Sequence, residues 1–258
     1  MTKIIVMGAA GRMGSQIIAN IPAFKDLKLV GAIESAGNAA LGQEVGGVKI
    51  TDSLDKIVGQ ADVVIDFTSP AITVSNLEMI AKHQKAAVLG TTGHSPEQKK
   101  SIEALAKKIP IVMASNMSVG MNVMWKLIQD AAKALGSGFD IEVVEMHHRL
   151  KKDAPSGTAM TTAEVLAHAT GRNLAKDAVY HREGLIGERK PNEIGIQTLR
   201  GGDVVGDHTV YFAGTGEMLT VTHRATSRDT FAQGALRAAA WLVGQKAHLY
   251  SMKDVLGL

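Results

Sequence analysis

The chain has 258 residues, 45% of them hydrophobic and 21% charged, with a formal charge of +3 and no cysteine. That is the balance of an ordinary globular protein with room for one large domain or two smaller ones, and the missing cysteines remove disulfides, thiolate nucleophiles and cysteine-held metal together. Aromatics at 4% give no basic-aromatic pattern for stacking nucleic-acid bases, and no apolar run approaches the ~18 residues of a membrane span, so nucleic acid and membrane are set aside as partners.

The N-terminus runs directly into a strand-like segment, residues 4–7, and not into the long apolar core of a signal peptide; with no cysteine present, the expected location is the cytoplasm. That segment ends in Gly8-Ala9-Ala10-Gly11-Arg12-Met13-Gly14, followed by the helical spacing of Ile17, Ile18 and Ile21. Strand, glycine turn and helix in that order let the backbone approach a pyrophosphate closely and aim the helix N-terminus at it. The spacing is Gly-x-x-Gly-x-x-Gly and not the stricter dinucleotide fingerprint, so a tight turn serving only helix packing is the competing reading. A second strand, residues 27–33, ends at Glu34, twenty residues after Gly14. An acid there accepts from the ribose hydroxyls of NAD. Ser35 offers no positive charge to a 2′-phosphate, which leans the choice toward NADH, while Arg12 leaves NADPH possible.

The alternation continues through a strand at 62–67, a helix at 73–83, and a strand at 86–89 ending in Gly90-Thr91-Thr92-Gly93. Ser95-Pro96-Glu97 then starts a helix expected to reach Lys108. A last strand, 111–114, closes the series at Ala114-Ser115-Asn116-Met117-Ser118. Because ligands of open parallel sheets collect at the carboxyl ends of strands, the loops 67–70, 90–92 and 114–117 are expected to line one crevice with the first glycine turn.

The second half breaks this pattern. Residues 119–135 read as a helix whose Met121, Met124 and Trp125 fill core, and 141–144 as a strand. Next comes Glu145-Met146-His147-His148-Arg149-Leu150-Lys151-Lys152-Asp153-Ala154-Pro155-Ser156-Gly157-Thr158, a density of bases that folding alone does not ask for. Flanked by a strand and by a helix at 159–170, it would present His147, His148 and Lys151 together with backbone N–H groups at Ser156-Gly157-Thr158, a set suited to a small polyanion. A glycine-rich region at 184–206 and a hairpin of 209–212 with 218–222 follow, and the helix at 231–243 is expected to return over the nucleotide-binding sheet. The predicted fold is α/β: a dinucleotide-binding domain at 1–118 with a Rossmann-type parallel sheet, completed by about 228–258, and an α+β substrate-binding and oligomerisation domain at 119–227. Adjacent His147 and His148 would point to opposite faces of a continuing strand, and they lack a third ligand at metal-binding spacing, so no metal is expected.

Taken together, the glycine turn and the histidine segment resemble the 4-hydroxy-tetrahydrodipicolinate reductases, formerly dihydrodipicolinate reductases, of diaminopimelate–lysine biosynthesis. The likeness runs along nearly the whole chain. Its most specific part is the family's E-x-H-H-x-x-K-x-D-A-P-S-G-T-A signature at 145–159, supported by Gly8 to Gly14, Asp66-Phe67-Thr68, Gly90-Thr91-Thr92-Gly93, Asn116-Met117-Ser118-Val119-Gly120 and Leu199-Arg200-Gly201-Gly202-Asp203. The resemblance implies hydride transfer from NAD(P)H to a cyclic dicarboxylate with loss of water. It implies His147 as proton donor and acceptor, Lys151 as proton donor, and His148, Gly157 and Thr158 as substrate-binding residues. On the cofactor side it implies Gly8, Ala9, Ala10, Gly11, Arg12, Met13, Glu34, Gly90, Thr91, Thr92, Ala114, Ser115, Asn116 and Met117, and as assembly a homotetramer. Ser35 departs from relatives that carry Arg for NADPH. Two other readings compete: a non-catalytic NAD(H)-sensing regulator, which has no use for the His-His-x-x-Lys cluster, and another NAD-dependent reductase of amino-acid metabolism, such as one acting on a semialdehyde.

Overall fold

Apolar runs of four to seven residues become strands when both faces of a sheet are covered, which is the situation of the first structural unit. A computed structural model describes residues 1–258, and the chain forms two units, Met1–Val119 with Arg228–Leu258 and Gly120–Ser227. The first stretch runs β1 (Thr2–Met7), α1 (Arg12–Asn20), β2 (Leu27–Ile33), β3 (Glu44–Val45), β4 (Val48–Thr51), α2 (Leu54–Ile57), β5 (Val63–Asp66), α3 (Pro70–Lys82), β6 (Ala86–Leu89), α4 (Pro96–Ala106) and β7 (Pro110–Met113). The second comprises α5 (Val119–Leu135), β8 (Asp140–His147), α6 (Gly157–Thr170), α7 (Leu174–Asp177), β9 (Ala178–Val179), β10 (Ile194–Arg200), β11 (Gly206–Ala213) and β12 (Met218–Ala225). The chain then rejoins the first unit as α8 (Asp229–Leu242), β13 (His248–Tyr250) and α9 (Met252–Leu256).

The first unit is organised on an eight-stranded sheet, β13-β7-β6-β5-β1-β2-β4-β3, parallel except for the β3–β4 hairpin. β1 pairs with β2 on one side and β5 on the other, so the strand order reverses at β1. Such a switch point is where an open α/β sheet leaves a crevice. Along β1, Ile4 and Val6 pack with Ile17 of α1 and Leu236 of α8. Ile5 and Met7 face the opposite layer with Leu77 of α3 and Ile102 of α4. Two buried faces explain why β1 is apolar without alternation, each fully buried side chain contributing roughly 1.5–3 kcal/mol. α4 carries the capping box that Ser95-Pro96-Glu97-Gln98 suggests: Ser95 Oγ accepts from Gln98 N–H at 3.2 Å, and Gln98 Oε1 accepts from Ser95 N–H at 2.8 Å. It stops at Ala106, two residues short of the Lys108 expected from sequence.

The second unit has a five-stranded sheet, β12-β11-β8-β10-β9, in which β8 runs parallel to β10 and antiparallel to β11. Only one face is packed, by α5 and α6, and β8 accordingly alternates: Ile141, Val143, Glu145 and His147 are buried, and Asp140, Glu142, Val144 and Met146 less so. β10 lies inside the region read from sequence only as glycine-rich. Gly195 interrupts its pattern because a Cβ there would collide with the Glu142 carboxylate, so the glycine marks a close approach and not a turn. No helix is long and apolar enough to cross a membrane.

Candidate active site

In the first unit, the residues expected to hold a dinucleotide gather at the carboxyl ends of the parallel strands. Gly8 follows β1 with φ +70°, a left-handed conformation that favours glycine. A Cβ on Gly14 would strike the Gly8 carbonyl oxygen, so that glycine lets α1 press against the turn. Gly11 is the N-cap of α1 and no side chain caps it, which leaves first-turn N–H groups at Arg12 and Met13 available to an anion. Glu34, just past β2, accepts from Ala10 N–H at 3.0 Å and from Ser35 N–H at 2.9 Å. Its carboxylate is thereby tied to the glycine turn. A cleft of about 700 Å³ collects Gly8, Gly11, Glu34, Phe67, Thr68 and Asn76. An uncapped helix start, a turn with no room for a Cβ, and an acid at its rim fit the diphosphate and ribose of a dinucleotide.

The other loops follow the same strand ends. Gly90 sits against the Phe67 ring, which a Cβ would overlap. Thr91 is buried, and its Oγ1 donates to Asp66 Oδ1 at 3.4 Å. Asp66, to which the sequence reading gave no role, is fully buried at the end of β5 and also accepts from Thr68 N–H at 2.8 Å and Thr68 Oγ1 at 2.5 Å. It holds the loops after β5 and β6 together; an acid closing an apolar strand was the signal. Thr92 precedes Gly93, and Ala114 begins the loop after β7, its N–H donating to Leu89 O at 3.3 Å. Asn116 Oδ1 accepts from Ser118 N–H at 2.8 Å, which shapes the loop through Ser115 and Met117. Ala9, Met13 and Met117 turn their side chains into the core, so only their backbones face the strand ends.

The second unit builds a different kind of site at the end of β8. Glu145 and His147 continue the inward alternation of Ile141 and Val143, but they reach the end of the core face, where α6 begins. Glu145 is fully buried. Its Oε2 accepts from His147 Nδ1 at 2.6 Å and Arg200 Nη1 at 2.8 Å, and its Oε1 from Arg200 Nη2 and Ser156 N–H, each at 2.9 Å, and from Thr198 Oγ1 at 3.3 Å. Burial works to raise its pKa, but hydrogen bonds from His147, Arg200 and Ser156 outweigh it and hold the group down to about 2. Parallel pairing of β10 supplies the register, with Thr198 opposite Glu145 and Arg200 opposite His147.

His208 enters from β11 and meets His147 edge to face, ring centroids 5.2 Å apart. Burial, followed by the proximity of His147, lowers its pKa to about 3, so it is neutral at physiological pH, with Ser156 Oγ 3.2 Å from its Nε2. Ser156 also N-caps α6, its Oγ accepting from Ala159 N–H at 3.1 Å. Gly157 and Thr158 are therefore the first two residues of a 14-residue helix, where backbone donors lack intrahelical partners. His148 leaves the strand, its N–H donating to Val204 O at 2.8 Å; this removes the opposite-face geometry that a continuing strand would impose. Lys151 Nζ lies 3.0 Å from Asp153 Oδ1. Ser156 was expected to offer its backbone N–H to the substrate together with Gly157 and Thr158, but that N–H is taken by Glu145 Oε1 at 2.9 Å, which leaves Gly157 and Thr158. The residues that the sequence left without roles are Glu145, Arg200 and His208. Glu145 was visible as a charge placed where the alternation demands burial, whereas Arg200 and His208 come from strands whose register no local pattern reveals.

Both Glu145 and His208 make acid stability predictable in sign. Glu145 has a depressed pKa, so its contribution is present above its ordinary value of 4.5 and is lost as pH falls toward 2. His208 must stay neutral, so folding is favoured above 6.5 and weakens as pH falls from there toward 3. Urea midpoints followed through buried Trp125 in a Trp241→Phe background are expected to fall continuously below pH 6.5; a flat midpoint down to pH 4.5 would contradict this.

A switch-point glycine turn in one unit and a histidine–carboxylate pair beside a helix N-terminus in another define a Rossmann-type dinucleotide-binding protein with an appended α+β domain. Residues 2–117 match the family described as "Dihydrodipicolinate reductase, N-terminus" and residues 120–256 the one described as "Dihydrodipicolinate reductase, C-terminus". The chain belongs to the dihydrodipicolinate reductase family. Relatives named 4-hydroxy-tetrahydrodipicolinate reductase from Syntrophotalea carbinolica and Geotalea uraniireducens are each 52% identical to it, with 100% of both chains covered in each comparison. A solved dipicolinate-bound dihydrodipicolinate reductase from Paenisporosarcina sp. TG-14 shares the fold at a TM-score of 0.79 and 24% identity, covering 98% of this chain and 99% of that one. A probable dehydrogenase from Thermotoga maritima shares it at a TM-score of 0.65 and 11% identity, covering 98% and 92%.

Proposed function

We infer that this chain reduces 4-hydroxy-tetrahydrodipicolinate to tetrahydrodipicolinate with a reduced nicotinamide dinucleotide, releasing water, in lysine and diaminopimelate biosynthesis. The observation that carries the reading is His147 bonded through Nδ1 to a buried carboxylate, in the same unit as the α6 N-terminus and Lys151. Gly8, Gly11 and the first turn of α1 would hold the diphosphate of the dinucleotide, whose reduced nicotinamide would supply the hydride when bound. The chain's own residues then have three tasks. Gly157 and Thr158 at the start of α6, with His148, hold the two substrate carboxylates without a mobile charge. His147 exchanges a proton at Nε2. Lys151 donates a proton from an ammonium that Asp153 keeps in place at 3.0 Å. A regulator that only senses NAD(H) has no need of this second constellation, and a semialdehyde reductase has no second carboxylate for a helix N-terminus to hold.

For the cofactor, Glu34 favours NADH. Its carboxylate would accept from the ribose hydroxyls, whereas a 2′-phosphate would meet that negative charge with only Ser35 beside it. Arg12 leaves NADPH as a weaker cofactor. Glu34→Ala is expected to weaken NADH binding by about 1.5–3 kcal/mol, the worth of hydrogen bonds to a charged group, and to narrow the NADH:NADPH preference. Equal NADH affinity in wild type and variant, by titration calorimetry, would remove Glu34 from the site. A homotetramer is supported by β12, an exposed edge strand, and by Gln197 Nε2 and Asp207 Oδ1, which are buried without partners within the chain on the sheet's unpacked side. The reaction itself is tested by following cofactor oxidation with freshly generated hydroxy-tetrahydrodipicolinate and each cofactor in turn; oxidation that does not depend on the dicarboxylate would sink the reading.

A further inference from the structure

A carboxylate with no exposed surface is costly unless it is fully bonded, and Glu145 is bonded by donors from four other residues. Two of those residues supply purely structural donors: Ser156 through its backbone N–H and Thr198 through Oγ1. Arg200 adds a permanent charge through both terminal nitrogens, at 2.8 and 2.9 Å, so the carboxylate is neutralised without drawing on His147. The 2.6 Å contact to His147 Nδ1 is then free to serve another purpose. A carboxylate that stays ionised can only accept, so Nδ1 of His147 must carry a proton and the neutral ring must leave Nε2 bare.

The surroundings of Nε2 agree with that assignment. Gly206 of β11 stands beside it, and a Cβ there would come within 3.1 Å of Nε2, so the glycine keeps the nitrogen clear. Neutral His208 packs against the ring edge to face and fixes its plane. The same Glu145 Oε1 that Arg200 binds also accepts from Ser156, the N-cap of α6. One carboxylate therefore sets both the direction of the histidine and the start of the helix that carries Gly157 and Thr158.

We propose that Glu145, braced by Arg200, is a positioning residue that holds His147 as its Nδ1–H tautomer, so that Nε2 is the atom exchanging the proton in turnover. This deepens the proposed reductase reading and rests on it for the turnover part. The charged and titratable groups against the pair are Arg200 from β10 and His208 from β11; Lys151, from the loop after β8, acts on His208, and Asp153 pairs with Lys151.

Glu145→Gln tests it. The amide keeps the volume and one accepting oxygen, but it places an NH₂ against donors, so at least one of the bonds from His147, Arg200 or Ser156 is lost. Turnover is expected to fall by about 10²-fold, within the 10²–10⁴ that a general acid–base contributes, and the pH profile of kcat to move, while NADH affinity stays as in wild type. A Gln variant with wild-type kcat and pH profile would overturn the proposal. A second readout needs no variant: in nitrogen-15 histidine spectra of the full wild-type chain, neutral His147 must show Nδ1 protonated and Nε2 bare. The opposite tautomer overturns the proposal even if the Gln variant fails to fold. A wild-type chain with the expected tautomer that reduces no dicarboxylate overturns the functional reading instead.

Discussion

Replacing Lys151 with Ala is expected to lower kcat by about 10²–10⁴-fold, and His147→Ala to do the same, while both leave NADH affinity at the wild-type value. The size of the effect follows from the chemistry. Hydride addition to the unsaturated ring pushes an electron pair toward the far end of the conjugated system, and the product is reached only when a proton is delivered there. Lys151 has side-chain exposure of 21% and one carboxylate neighbour, Asp153, so its ammonium is held without being closed off from a ligand. His147 is more enclosed, 8% exposed, and its Nδ1 is already committed to Glu145. Lys151→Arg restores the charge but not a proton that can leave at neutral pH, and is expected to rescue KM more than kcat. Steady-state rates with a parallel NADH titration measure the split. Variants that lose NADH binding and turnover in equal proportion would show that these residues support the fold and not the chemistry.

Gly14→Ala is expected to damage stability and dinucleotide binding together. Its Cβ would land on the Gly8 carbonyl oxygen, a backbone atom that cannot rotate away, so α1 must shift off the turn it caps. Overpacking of this sort costs about 1–3 kcal/mol, and the same displacement moves the first-turn N–H groups away from a diphosphate. A lower melting temperature and loss of most NADH affinity are therefore expected together. Gly59→Ala is the control, since nothing lies within 4 Å of a Cβ at that position. Equal stability and NADH affinity in the Gly14 and Gly59 variants would show that the turn has more play than its geometry allows.

The parallel sheet was legible in the sequence because its signals are local. Residues 4–7, 62–67, 86–89 and 111–114 are apolar runs that end in glycine or polar turns, and each became a strand. What escaped detection was short or long-range. The β3–β4 hairpin and β13 have two to four residues each and gain their stability from sheet neighbours, which propensity does not register. β10 was hidden because Gly195 answers to Glu142 on the adjacent strand. The His147–Lys151 segment stood out by its chemistry, and Gly157 and Thr158 were foreseen at a helix start. Arg200 and His208 become part of the site only through β-sheet register, with Arg200 opposite His147 and His208 opposite Glu145. Arg200 lies 55 residues from Glu145 along the chain and His208 farther still, too far for any local pattern to connect.

Hydride from the dinucleotide is to end on the ring of a cyclic dicarboxylate. Nicotinamide cofactor carrying deuterium at the transferable C4 position, given to the full chain with freshly generated hydroxy-tetrahydrodipicolinate, tests it by mass spectrometry of the product. The expected product is tetrahydrodipicolinate bearing the deuterium on a ring carbon, with the substrate's hydroxyl gone as water and the label lost from the oxidised cofactor. Product without the label, or label left on the cofactor while the dicarboxylate is consumed, would contradict it.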